Sequence, residues 1–150
     1  MRVLRKNLQP FYYATYVKST ETTDDDGNHT GQYVNEYSKP AKMYANISAA
    51  RGSADVEVFG VSLAYDKAIV TDDMGCPISE TSILWIDTMP VLDNDGNTAT
   101  PHDYVVKRVA KSLNSIAYAV SKVEVMTVPQ VESELEEPGT EQPDDEDAEE

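Results

Sequence analysis

Between Phe11 and Val125 the chain is a succession of short runs of Tyr, Val, Ile and Thr, each broken after a few residues by Gly, Pro, Asp or Asn. That punctuation leaves no room for long helices. Stretches rich in Ala, Leu, Glu and Lys at helical spacing are absent, whereas period-two alternation recurs. The runs fall at 11–17, 32–37, 42–48, 63–71, 82–87, 104–111 and 115–125. About seven short strands at this spacing predict an all-β fold, a small barrel or sandwich with at most one short helix.

The turns between the runs carry their own chemistry. Asp24-Asp25-Asp26-Gly27-Asn28 supplies the carboxylates and the glycine that a tight reversal needs, so 11–37 reads as a hairpin with an acidic tip. In the third run Met43, Ala45 and Ile47 alternate with Lys42, Tyr44, Asn46 and Ser48. In the fourth, Leu63, Tyr65, Lys67 and Ile69 share one side. Ser53 could cap one helical turn from Asp55 to Phe59, with Gly60 as its stop. Residues 82–87 are nearly all apolar and are expected to be buried on both faces. A loop at 88–101 contains Asp93-Asn94-Asp95-Gly96-Asn97, and Leu113-Asn114 marks the turn between the last two strands.

Charge divides the chain in two. Of its 27 acids, eleven lie in 129–150, together with Pro129, Pro138, Gly139 and Pro143 and no base. Such a segment cannot bury enough apolar surface to offset the entropy of ordering it, and it is expected to be a disordered acidic tail. The remaining 27 − 11 = 16 acids face 12 bases, so the net charge of −15 becomes about −4 for residues 1–128, an ordinary single-domain size. No apolar run approaches the roughly 20 residues of a membrane span. The basic start Met1-Arg2-Val3-Leu4-Arg5-Lys6 lacks the apolar region that follows in a signal peptide, so a soluble chain made in a cytoplasm is expected.

Catalytic and metal-binding residues are few. His29, His102 and Cys76 are the only His and Cys residues, scattered along the chain, where a zinc site wants at least three ligands together. A single cysteine allows no intrachain disulfide. Asp72-Asp73 and Asp24-Asp25-Asp26 could pair carboxylates, and the segment from Asp93 echoes part of a calcium loop. The twelfth position from Asp93, however, is Tyr104 rather than the closing acid, and turn chemistry accounts for every one of these groups. A nucleophile elbow, a phosphate loop and a dinucleotide fingerprint are missing. Two short basic stripes exist, Arg2, Arg5, Lys6 and Lys107, Arg108, Lys111, in a chain that would as a whole repel a phosphate backbone. Tyr12, Tyr16, Tyr33 and Trp85 could line an aromatic cleft of a ligand-binding β module, but core packing is the expectation for them. The pattern points to a structural or interaction protein without cofactor or metal, not to an enzyme.

The order of these features resembles the head–tail joining, or head-closure (stopper), proteins of long-tailed bacteriophages. The likeness runs over about residues 1–125. It consists of a basic start leading into a strand ending at Val17, the Asp24-Asp25-Asp26-Gly27 turn, the aromatic strand from Tyr33 to Tyr37 and the segment Met43-Tyr44-Ala45-Asn46-Ile47-Ser48-Ala49-Ala50-Arg51-Gly52. Strands follow at 64–70 and 83–87, then Tyr104-Val105-Val106 and a final hairpin. The longer acidic link at 88–101 and the acidic tail depart from the family pattern, which leaves stopper, portal-side adaptor and tail-completion protein open. The resemblance implies a virion protein of the neck, assembled in the host cytoplasm. It would form a homo-oligomeric ring of six or twelve copies between the portal or adaptor ring and the tail terminator or tail tube. Packaged DNA would pass through without sequence-specific binding, and no membrane would be involved. On that basis Asp24, Asp25, Asp26 and His29, with Asp93 and Asp95, are candidates for channel-facing loops. Arg2, Arg5, Lys6, Lys107, Arg108 and Lys111 are candidates for ring or portal contacts.

Overall fold

The computed structural model describes residues 5–50, 58–59 and 64–124. The acidic segment 129–150, Arg2 and most of the helical turn expected at 53–60 lie outside the described residues. After a short 3-10 turn at Arg5–Asn7 come eight strands: β1 (Leu8–Ala14), β2 (Tyr16–Thr23), β3 (His29–Tyr37), β4 (Ala41–Ala49), β5 (Lys67–Thr71), β6 (Ile83–Trp85), β7 (Tyr104–Lys111) and β8 (Ile116–Lys122). Six of them close into a barrel in the order β1-β4-β5-β8-β7-β6, antiparallel at every described pairing. The other two, β2 and β3, form a separate two-stranded sheet. The all-β barrel expected from the strand spacing is what forms.

Alternation along the strands fills the interior. Phe11, Ala45, Ile69, Leu84, Tyr104, Val106, Ile116, Tyr118 and Val120 meet inside, with Cys76 and Ile78 joining them, and Met43 and Ile47 pack against the same cluster. Met43, Ala45 and Ile47 therefore share the inward face that their spacing predicted. Leu84 and Ile69 are fully buried, each contributing about 1.5–3 kcal/mol of transfer free energy. A second cluster covers the outside of β5 and β8, where Phe59 lies on Val70, Ala117 and Ala119. The alanines at 117 and 119 leave room there for the ring. All three residues of β6 are buried, as their unbroken apolar run predicted.

Two differences from the sequence reading have clear causes. Residues 11–17 are not one strand and 11–37 is not one hairpin. β1 ends at Ala14 and enters the barrel between β4 and β6, while β2 leaves from Tyr16 to pair with β3. The break is fixed by a crossing: the Thr15 amide donates to Ser38 Oγ, and the Ser38 amide donates to the Thr15 carbonyl. The aromatics also divide. Trp85 is buried, but Tyr16 and Tyr33 stand on the two-stranded sheet, 41% and 65% exposed, and are not core residues.

Candidate functional site: the projecting arm and the cleft at its root

Beyond its root, where Tyr37 packs on Ala14, Ile83 and Trp85, the arm of β2 and β3 has neither face covered by a described residue. Tyr33 and Val34 are neighbours along β3 and so point to opposite faces, yet both are more than half exposed. Opposite them lie Glu21 and Thr20. The faces carry weak surface contacts: Lys18 pairs with Glu36 at 3.5 Å, and His29 with Glu21 at 3.1 Å. Tyr16 and Tyr37 meet edge to face at the root.

The tip is held by turn chemistry. Asp24 Oδ1 accepts from the amides of Asn28 and Asp26, and Gly27 takes a φ of 84°. The Asn28 amide, with smaller help from its side chain and neighbouring amides, holds the Asp24 carboxyl below its usual pKa. The loop after β6 repeats the device atom for atom. Asp93 Oδ1 accepts from Asn97 and Asp95, and Gly96 has a φ of 80°. Both groupings are turns, as their Asp-Gly pattern predicted.

The structure does not bring these two acidic loops together. Asp24, Asp25, Asp26 and His29 sit at the far end of the arm, about 25 Å of strand from its root. Asp93 and Asp95 belong to the loop at that root, where a Cβ on Gly96 would lie 3.7 Å from the Lys39 side chain. The basic residues are also split. β1 and β7 both run antiparallel to β6, with Ala14 and Val105 each opposite Ile83. Arg5 and Lys6 come well before that level and Lys111 well after it, so they mark opposite ends of the barrel. A bulge between Val106 and Arg108 inserts Lys107 as an extra residue, which turns both Lys107 and Arg108 to solvent.

A cleft of about 310 Å3 lies where the arm meets the barrel, walled by Tyr37, Pro40, Ile83, Trp85, Pro101 and His102. Trp85 Nε1 donates to the Thr100 carbonyl, and the His102 ring stands edge-on to the indole at 6.4 Å. Burial lowers the pKa of His102, opposed in part by Asp103, so the imidazole facing the cleft is neutral at pH 7. Asp103 itself is buried, and its carboxylate accepts from the amides of Ile86, Asp87 and Thr88 at 2.9, 2.8 and 2.7 Å. It clamps the chain leaving β6. Sequence reading named His102 and Trp85 but not their meeting, and it missed Asp103 altogether.

One further cluster lies outside the cleft. Asp87 accepts from the Tyr104 hydroxyl at 2.8 Å, contacts Lys67 Nζ and lies 3.7 Å from Lys122 Nζ, while the Lys67 ammonium sits over the Tyr104 ring. The hydrogen bond from Lys67 holds the Asp87 carboxyl below its usual value. Among the described residues, no three His, Cys, Asp or Glu side chains group where they could hold a metal ion. Cys76 is buried, its sulfur 3.6 Å from that of Met43. Comparison of the chain with protein-family models, curated proteins and solved structures returns no match in any of the three.

Proposed function

We propose that the chain is a structural protein of the phage neck, a ring-forming stopper that sits below the portal, closes the DNA channel and offers a docking surface to the tail. The observation that supports it best is the arm. Eight-residue β2 and nine-residue β3 project from a closed barrel with apolar side chains exposed on both faces. A lone two-stranded ribbon is marginal in water, so such an arm is suited to contacts outside its own chain. Large exposed apolar groups mark sites of that kind.

In this reading the acidic tip 24–29 faces the channel, with the loop of Asp93 and Asp95 as a second lining element. Negative walls favour the passage of DNA, which an attractive wall would retain. Arg5, Lys6, Lys107, Arg108 and Lys111, with Arg2, meet acids on the portal side or on neighbouring copies. Sixfold or twelvefold repetition would crowd the carboxylates of Asp24, Asp25 and Asp26 at the axis, so contacts between tips should tighten when salt screens them. The role is mechanical rather than catalytic, and portal-side adaptor or tail-completion protein are neighbouring forms of it.

The experiment is a deletion of 24–29 in the phage whose genome encodes this chain. Heads that fill and then leak DNA support a gate at the tip; full genome retention with normal tail attachment contradicts it. A second reading, a small ligand-binding β module, draws on the cleft of Tyr37, Trp85 and His102. It requires a discrete monomer whose ligand shifts the fluorescence of Trp85.

A further inference from the structure

The cleft at the root of the arm is shaped for apolar side chains. Buried Ile83 and Trp85 lie in its lining with Tyr37, which packs on their cluster, and Pro40 and Pro101 stand beside them. Lys39 is its one permanent cation and makes no ion pair with a described residue. The last strand ends next to this lining. β8 runs antiparallel to β7 as far as Tyr104↔Lys122, and one residue on the Val123 amide donates to the Asp103 carbonyl at 2.8 Å. The chain therefore leaves the barrel heading past His102 and Pro101.

The sequence that follows suits such a cleft. Val125-Met126-Thr127-Val128-Pro129-Gln130-Val131 carries no charge and is mostly apolar, and all eleven acids of the C-terminal segment come after it, from Glu132 on. We infer that these residues of the same copy fold back across His102 and seat Val125, Val128 and Pro129 in the cleft, which brings Glu132 to Lys39. Val125 and Val128 lie within about 7–17 Å of extended chain from the pinned Val123. So short a tether holds the segment at an effective concentration on the order of millimolar, which a second copy in dilute solution does not match. Seated there, the segment straps the end of β8 to Tyr37 and Pro40 at the foot of the arm. The strap needs only one chain, so it stands or falls apart from any role in the neck.

The test is a nuclear Overhauser spectrum of the full chain labelled with carbon-13. Methyl protons of Val125 and Val128 should give cross-peaks to the rings of Tyr37, Trp85 or His102. Val128→Asp should abolish those peaks and shift the ring resonances of Tyr37 and Trp85. The amide spectrum of the barrel strands should stay as it is, because position 128 lies beyond the last of them. Absence of any cross-peak from 125–131 to the three rings in the wild-type chain overturns the strap. A mixture of labelled and unlabelled chain separates the occupants. Cross-peaks within the labelled chain support the strap, whereas peaks seen only between labelled and unlabelled chains give the cleft to a second copy and overturn it. A small molecule carried through purification would instead give peaks to the same rings that survive Val128→Asp, and that result also overturns the strap.

Discussion

Replacing Asp103 by Asn isolates the clamp at the base of the cleft. The carboxylate takes three amides, one on Oδ1 and two on Oδ2. An asparagine of the same shape keeps one acceptor oxygen and turns an NH2 group toward at least one of those donors. Bonds to a charged acceptor are worth roughly 1.5–3 kcal/mol each, but the sum overstates the loss. Asp87 and Thr88 are exposed, so water can replace their bonds, whereas Ile86 is only partly exposed. The net cost should be about 2 kcal/mol, with a melting point lowered on the order of 5–10 °C for a domain of this size. Urea unfolding should show the midpoint falling with an unchanged slope. Amide exchange at 86–88 should quicken. A loss under about 0.5 kcal/mol would mean that the three bonds are not formed in solution, and the account of how the cleft is held would be wrong.

Other perturbations follow from the same geometry. The Tyr118 hydroxyl is fully buried among the core residues and has no hydrogen bond of good geometry to a described residue, and burial drives its pKa far upward. Tyr118→Phe should therefore be neutral or stabilising by about 1 kcal/mol, and a loss of that size in a thermal melt would reveal a hidden partner. His102 has its pKa lowered by burial from 6.5. The unfolded chain thus takes up the proton first, so stability should fall as pH drops below about 6.5 and be unaffected above it. His102→Phe should flatten that part of the profile relative to wild type. Deleting 132–150, with its eleven acids, should move the melting temperature by no more than about a degree or two, and a large drop would show that the segment is docked.

Much of the barrel could be read from the chain, and the failures share a cause. β4 and β8 announce themselves because Met43, Ala45 and Ile47, and Ile116, Tyr118 and Val120, alternate toward one core. The Asp24 and Asp93 turns were legible because an Asx turn is a local object. The break at Thr15 was not, because every residue from Phe11 to Val17 except Ala14 favours a strand and the distant Ser38 fixes where the strand ends. Within β1 the alternation is regular, Phe11 and Tyr13 facing the barrel interior while Tyr12 and Ala14 pack outside with Ile83 and Trp85. The exposed arm was mistaken in part for core, since period-two patterning reports that a face is apolar but not which chain covers it. Asp103 was invisible for the same reason: its three donors lie 15–17 residues away.

The central claim, a ring in the phage neck, is tested most directly by a cryo-electron reconstruction of the neck of virions from the genome that encodes this chain. The account predicts small six-strand barrels repeated around the channel between portal and tail, with the 24–29 tips toward the axis. Virions whose neck contains no such ring, and whose protein inventory lacks the chain, would contradict it.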